Sequence, residues 1–178
     1  GHFLAPVVIR VAGIADIPRE IFGPILHLAT FPAGGLDAVV DAVNARGFGL
    51  TFGFHSRIDT AVQRVVSRIR VGNLYVNRNQ IGAVVGSQPF GGEGLSGTGP
   101  KAGGPIYLTR FTRAPAPRLG AEDGAQAQET AVAQALAAAA APAALPEPLD
   151  LPGPTGESNR PHLVPRAPLL CLGPGRET

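Results

Sequence analysis

The residues that could do chemistry concentrate between positions 82 and 104, GAVVGSQPFGGEGLSGTGPKAGG, where nine of 23 are glycine. Glycine at that density forbids a regular helix and supplies positive-φ and close-approach positions. A flexible linker would be polar and repetitive, whereas this stretch carries Val84-Val85, Gln88-Pro89-Phe90 and Lys101. A long ordered loop of functional type is therefore expected. Gly92-Glu93-Gly94-Leu95-Ser96-Gly97 spells G-x-G-x-x-G. A dinucleotide fingerprint needs a strand before it and a helix opening at its end to receive the pyrophosphate. Here Thr98-Gly99-Pro100-Lys101-Ala102-Gly103-Gly104-Pro105 follows, which predicts no helix, so the match is accidental. Ser96 fails as a nucleophile elbow because Thr98 stands where G-x-S-x-G needs glycine. Cys171, the single cysteine, lies between Leu170 and Leu172 in a proline-rich tail and reads as an inert thiol. One cysteine also excludes an internal disulfide and a Cys-based zinc site. His2, His27, His55 and His162 are scattered without ligand spacing, so no metal site is expected. Arg78 and Lys101 could reach anions but read as solvated loop charges, and neither is assigned.

These residues need elements to hold them, and the composition says where such elements lie. Residues 1–113 hold 18 of the 24 glycines and a balance of +5, while 114–178 hold 11 of the 18 prolines, a balance of −3 and the alanine-rich run 131–144. The first segment is expected to fold. The second is expected to be an Ala/Pro-rich, largely irregular and mobile linker over 114–150, with one alanine-driven helix at about 125–141, followed at 151–178 by the start of a truncated extension. Residues 3–11 (FLAPVVIRV) read as a strand with Pro6 at an edge or entry position, and 25–31 as a second. After Gly34-Gly35, the positions Leu36, Val39, Val40, Val43 and Asn44 have helical spacing, closed by Arg46-Gly47. Asp59 opens a second helix with Ala61, Val62, Val65, Val66 and Ile69 on one face. Residues 71–76 (VGNLYV) read as another strand. This order predicts an α/β fold with a mixed or parallel sheet, incomplete as a doubly wound domain. The net charge of +2 shows no footprint for nucleic acid, and no apolar run reaches the ~18–20 residues of a membrane span. Glycine at position 1 and the absence of methionine predict a processed chain or a piece of a longer one.

Five motifs carry a resemblance: Glu20-Ile21-Phe22-Gly23-Pro24; Gly49-Leu50-Thr51; Tyr75-Val76-Asn77-Arg78; Gln88-Pro89-Phe90-Gly91-Gly92; and Ser96-Gly97-Thr98-Gly99. In order and separation they resemble the C-terminal part of the aldehyde dehydrogenase superfamily. The nearer likeness is to the L-glutamate γ-semialdehyde (1-pyrroline-5-carboxylate) dehydrogenase module of the bacterial bifunctional proline utilization A flavoenzymes. His55-Ser56-Arg57-Ile58-Asp59, residues 77–105 and residues 151–157 carry that likeness, which is dense over 1–113 and returns at 151–172.

The resemblance implies an α/β, C-terminal fragment of the aldehyde dehydrogenase fold and a reaction, the NAD⁺-dependent oxidation of the semialdehyde to glutamate in proline catabolism. In that family a cysteine thiolate, a hydrolytic carboxylate and the dinucleotide-binding domain all lie upstream of the part matched here. No catalytic residue is therefore expected in this chain, which should be inactive alone. By type, Glu20 is an exposed loop carboxylate between Pro18 and Gly23, and Phe90 an ordinary core phenylalanine. The resemblance gives both a role. Glu20 matches the carboxylate that accepts the nicotinamide-ribose hydroxyls, and Phe22 the aromatic beside the nicotinamide. Gly82 and Ala83 match the loop that anchors the substrate's α-carboxylate through main-chain N–H groups, with Ala83 lacking the hydroxyl that some members place there. Phe90 matches the aromatic lining the substrate's aliphatic part. Implied with these are FAD in an upstream proline dehydrogenase module, a small aldehyde substrate, the upstream part of the same polypeptide as partner, a homo-oligomer at full length, and a cytoplasmic setting. A strand near subunit contacts corresponds in the family to residues 106–111. The alternative is a catalytically inactive remnant that serves only as a structural or oligomerisation module.

Overall fold

The computed structural model describes residues 2–112, 128–139 and 149–164. The chain divides into two compact units, Gly1–Phe111 and Thr112–Thr178.

The first unit is mixed α/β. Strand β1 (Val7–Arg10) pairs in parallel with β2 (Ile25–Leu28), Val7 opposite Ile25 and Arg10 opposite Leu28. Pro6 has no N–H to give a ladder, and pairing begins directly after it, where Val7 N donates to Pro24 O at 2.9 Å. Both strands are shorter than expected: residues 3–6 and 29–31 lie outside the ladder. Parallel partners need a crossover of about a dozen residues. Residues 11–24 make it, through one 3-10 turn at Ile14–Asp16, where Asp16 accepts a hydrogen bond from Ala12 N at 2.7 Å.

Helix α1 (Leu36–Ala45) stops at Gly47, whose φ of +74° only glycine adopts freely. Arg46 follows the last helical residue, and its guanidinium donates to Ile17 O at 2.5 Å, which ties α1 to the crossover. After β3 (Phe48–Gly49) come β4 (Thr51–Phe54), α2 (Asp59–Arg68) and β5 (Asn73–Val76), a βαβ unit in which Thr51 pairs with Asn73 and Phe54 with Val76. The helices meet around Val40 and Val65, each 1% exposed. Val66, expected on the same face, is 38% exposed, because one residue further on is ~100° further round the helix. Asn44 joins the pair: its Nδ2 donates to Arg68 O at 2.9 Å and its Oδ1 accepts from Arg70 N at 2.9 Å.

Strand β6 (Glu93–Gly94) returns antiparallel to β3, Phe48 opposite Gly94 and Gly49 opposite Glu93. Among the described residues the strands thus form three two-stranded sheets, β1-β2, β3-β6 and β4-β5. β3, β4 and β6 were not anticipated, since two are dipeptides and the third is interrupted by Gly53. Residues 106–111 are not the expected strand either. Pro105–Phe111 forms a 3-10 helix, with Tyr107 and Phe111 edge-to-face at 5.9 Å. With no strand among the described residues paired to it, the backbone satisfies polar groups locally, as where Tyr107 N donates to Gly104 O at 3.1 Å.

In the second unit, helix α3 (Glu129–Ala139) falls inside the alanine-driven helix expected at 125–141. Leu151 and Asn159 form an isolated bridge, Leu151 N donating to Asn159 O at 2.8 Å, and Arg160 pairs with Asp150 at 2.7 Å. Cys171 and most of the expected linker lie outside the described residues.

Candidate functional site

The glycine-rich stretch is an ordered loop. Gly86 N donates to Gly103 O at 3.3 Å, and Phe90 and Ala102 exchange both backbone hydrogen bonds, at 2.9 and 2.8 Å. Its G-x-G-x-x-G segment is structural: Gly94 lies in β6, Leu95 N donates to Gly47 O at 2.8 Å, and Ser96 Oγ accepts from Gly49 N at 3.2 Å. No helix opens between residues 95 and 104, so the N-terminus that a pyrophosphate would require is missing at this place.

The expected substrate anchor shows a distinct pattern. Ile81 N donates to Asn79 Oδ1 at 3.1 Å, and Val84 N to Gln88 Oε1 at 3.3 Å. Between them, the N–H groups of Gly82 and Ala83 have no partner among the described residues. Gly82 has φ +78°, a left-handed turn that glycine adopts without strain. Two successive unpaired amides in a turn of small residues can converge on an anion. Phe90 follows, 37% exposed, between the buried Pro89 and Gly91.

Glu20 and Phe22 lie together in the β1–β2 crossover, both exposed, Phe22 by 87%. Glu20 accepts no hydrogen bond among the described residues. Both side chains are thus presented to the surface, two positions apart in the crossover. No described hydrogen bond joins this pair to the Gly82–Phe90 group; the two sets sit on separate segments. A cavity of about 190 Å³ lined by Asn44, Gly47, Arg70, Glu93 and Gly94 contains none of the five residues.

Lys101 is not a solvated loop charge. It is half-buried, and its ammonium donates to Gly72 O, to Gly91 O at 2.8 Å and to Asn73 Oδ1 at 3.0 Å. Burial pushes its pKa below the ordinary lysine value, opposed by the nearby Glu93 carboxylate. Arg78 lies with its guanidinium 5.1 Å from the Tyr75 ring centroid. Nothing in the spacing of the sequence marked Lys101, since its partners are mainly main-chain oxygens. Among the described residues there is no group of three or more His, Cys, Asp or Glu side chains that could hold a metal ion, and no helix is long and apolar enough to cross a membrane.

The aldehyde dehydrogenase family model matches residues 1–116. The chain belongs to the aldehyde dehydrogenase family. It is 58% identical over 118 residues to the bifunctional protein PutA of Rhizobium meliloti, covering 66% of itself and 10% of that protein. Among solved structures, a substituted form of Bradyrhizobium japonicum proline utilization A superposes with a TM-score of 0.61 at 54% identity, over 62% of this chain and 11% of that one. A 1-pyrroline-5-carboxylate dehydrogenase from Thermus with bound NAD superposes with a TM-score of 0.57 at 40% identity, over 62% and 22%. The partial aldehyde dehydrogenase fold is thus shared, and the chain spans about a tenth of the bifunctional proteins and a fifth of the Thermus enzyme.

Proposed function

We propose that this chain forms part of an NAD⁺-dependent dehydrogenase that oxidises L-glutamate γ-semialdehyde, the open form of 1-pyrroline-5-carboxylate, to glutamate in proline catabolism. It does so within a longer polypeptide that supplies the nucleophilic cysteine, the hydrolytic base and the dinucleotide-binding domain. A proline dehydrogenase module carrying FAD belongs to the same reading, from the likeness to PutA. The observation that carries the proposal is the pair of unpaired N–H groups at Gly82 and Ala83, followed by the half-presented ring of Phe90.

The amides at 82 and 83 hold the α-carboxylate by charge-assisted hydrogen bonds. Phe90 packs along the methylenes, so the aldehyde carbon is directed away from the anchor at a fixed distance. NAD⁺, when bound, would supply the hydride acceptor for that carbon once the nucleophile of the longer polypeptide has added to it. Glu20 would hold that cofactor by accepting hydrogen bonds from its nicotinamide-ribose hydroxyls, and Phe22 would pack beside the nicotinamide.

The test uses the native polypeptide that contains this sequence. NADH formation is compared for glutamate γ-semialdehyde and for butanal, which lacks both the α-carboxylate and the α-ammonium. Losing two charge-assisted hydrogen bonds at ~1.5–3 kcal/mol each should lower kcat/KM for butanal by about 10²–10⁴-fold. Equal kcat/KM for the two aldehydes would overturn the assignment, and absence of any NADH would favour a purely structural module.

A further inference from the structure

We propose that Lys101 and Asn73 are positioning residues for the substrate: they lock the backbone of residues 89–91 so that Phe90 is held at a fixed place relative to the Gly82–Ala83 anchor. The inference rests on the function proposed above and assigns its specificity to two side chains that touch no substrate atom.

Every backbone polar group from the Pro89 carbonyl to the Gly91 carbonyl is bound. Asn73 Nδ2 donates to Pro89 O at 2.9 Å, and its Oδ1 accepts from Gly91 N at 3.2 Å. Ala102 exchanges two hydrogen bonds with Phe90, and Lys101 Nζ donates to Gly91 O at 2.8 Å. With the main chain held at five points, the ring of Phe90 is what remains free to meet a ligand. The lock extends to the anchor through Gln88, whose Oε1 accepts from Val84 N at 3.3 Å and whose N donates to Val84 O at 2.7 Å.

Lysine suits the centre of this lock. Three oxygens converge there, from Gly72, Asn73 and Gly91, and an ammonium offers three N–H donors in a compact head. Arginine's planar fork cannot place donors on three oxygens gathered around one point. A residue without donors would leave three acceptors facing each other in a part-buried place. Asn73 stands at the first position of β5, which ties the loop to the βαβ unit rather than to other loop residues.

The experiment uses the full-length enzyme with Lys101→Met, Lys101→Arg and Asn73→Ala, assayed with glutamate γ-semialdehyde and with butanal. The readout is the ratio of the two kcat/KM values, which a general loss of folded enzyme leaves unchanged because both substrates report the same active fraction. Lys101→Met and Asn73→Ala are expected to lower the ratio by about 10–10²-fold, as an ångström-scale misplacement does. The loss should fall on the semialdehyde, with the KM for NAD⁺ unchanged and Lys101→Arg giving no rescue. Parallel losses for both substrates, or no loss, would overturn the inference. If Lys101→Met yields no soluble enzyme, Lys101→Gln, which keeps two N–H donors, is read by the same ratio against the same expectation. A wild-type enzyme that shows no preference for the semialdehyde removes the function and this inference together. A wild-type preference that the variants leave intact removes this inference alone.

Discussion

Two glycines separate steric from conformational demand at the scale of single residues. A Cβ built on Gly72 would overlap the Gly91 carbonyl, where the strand-side backbone and the loop meet. A Cβ on Gly82 would meet nothing within 4 Å, but its φ is +78°. Gly72→Ala should therefore destabilise the protein by at least ~2 kcal/mol through overpacking, and Gly82→Ala by ~1–2 kcal/mol through left-handed strain alone. Denaturant midpoints of the two variants check the order; a larger loss at Gly82 would contradict it. From sequence, both glycines look alike, and Lys101 looks like an exposed charge. Only the approach of Gly91 to Gly72, across the intervening loop, distinguishes them.

At the scale of elements, α1 and α2 were legible because helical periodicity is local: Leu36, Val39, Val40 and Val43 on one, Ala61, Val62 and Val65 on the other. The hydrogen bonds that join the helices were not legible, since Asn44 bonds to backbone atoms 24 and 26 residues away. Val65→Ala should cost ~2 kcal/mol by opening a gap beside Val40. Asn44→Ala should cost ~1–3 kcal/mol by leaving the Arg68 carbonyl and Arg70 amide without their partner. The ion pairs of Arg68 with Asp37 (2.9 Å) and Asp41 (2.7 Å) are solvent-exposed, and such pairs contribute little. They hold the Arg68 pKa above its ordinary value, the Asp41 hydrogen bond being the largest cause. Asp41→Asn should accordingly move the unfolding midpoint less than Val65→Ala, and the reverse order would show that the helix pair is held from its surface. The residues expected as a strand at 106–111 illustrate the opposite limit. Their apolar character permits a strand, but a ladder needs a partner, and the chain closes Pro105–Phe111 into a 3-10 helix instead.

For the molecule as a whole, apolar exposure is the dominant feature. Among the described residues only Val40, Val65 and Tyr75 are buried hydrophobics, while Phe22, Leu26, Leu28, Ile81, Val85, Leu108 and Phe111 are each more than half exposed. Under the proposed function the rest of the polypeptide covers this apolar surface. The isolated 178-residue chain should then bind a hydrophobic fluorescent dye strongly and form no NADH from the semialdehyde, while the full-length enzyme does the reverse. Turnover by the isolated chain would contradict the assignment of nucleophile and base to other parts of the polypeptide.

The sequence by itself determined the two helices, the glycine stop at Gly47, the ordered character of 82–104 and, through five short motifs, the family. Each of these depends on neighbours a few residues apart or on side-chain types that a local pattern displays. The tertiary structure alone decided that β3 pairs with β6 across more than forty residues, that Gly82 and Ala83 find no partner for their amides among the described residues, and that Lys101 gathers three oxygens around one ammonium. The physical reason is common to all three. Main-chain N–H and C=O groups are the same at every position, so no residue type announces which of them will meet.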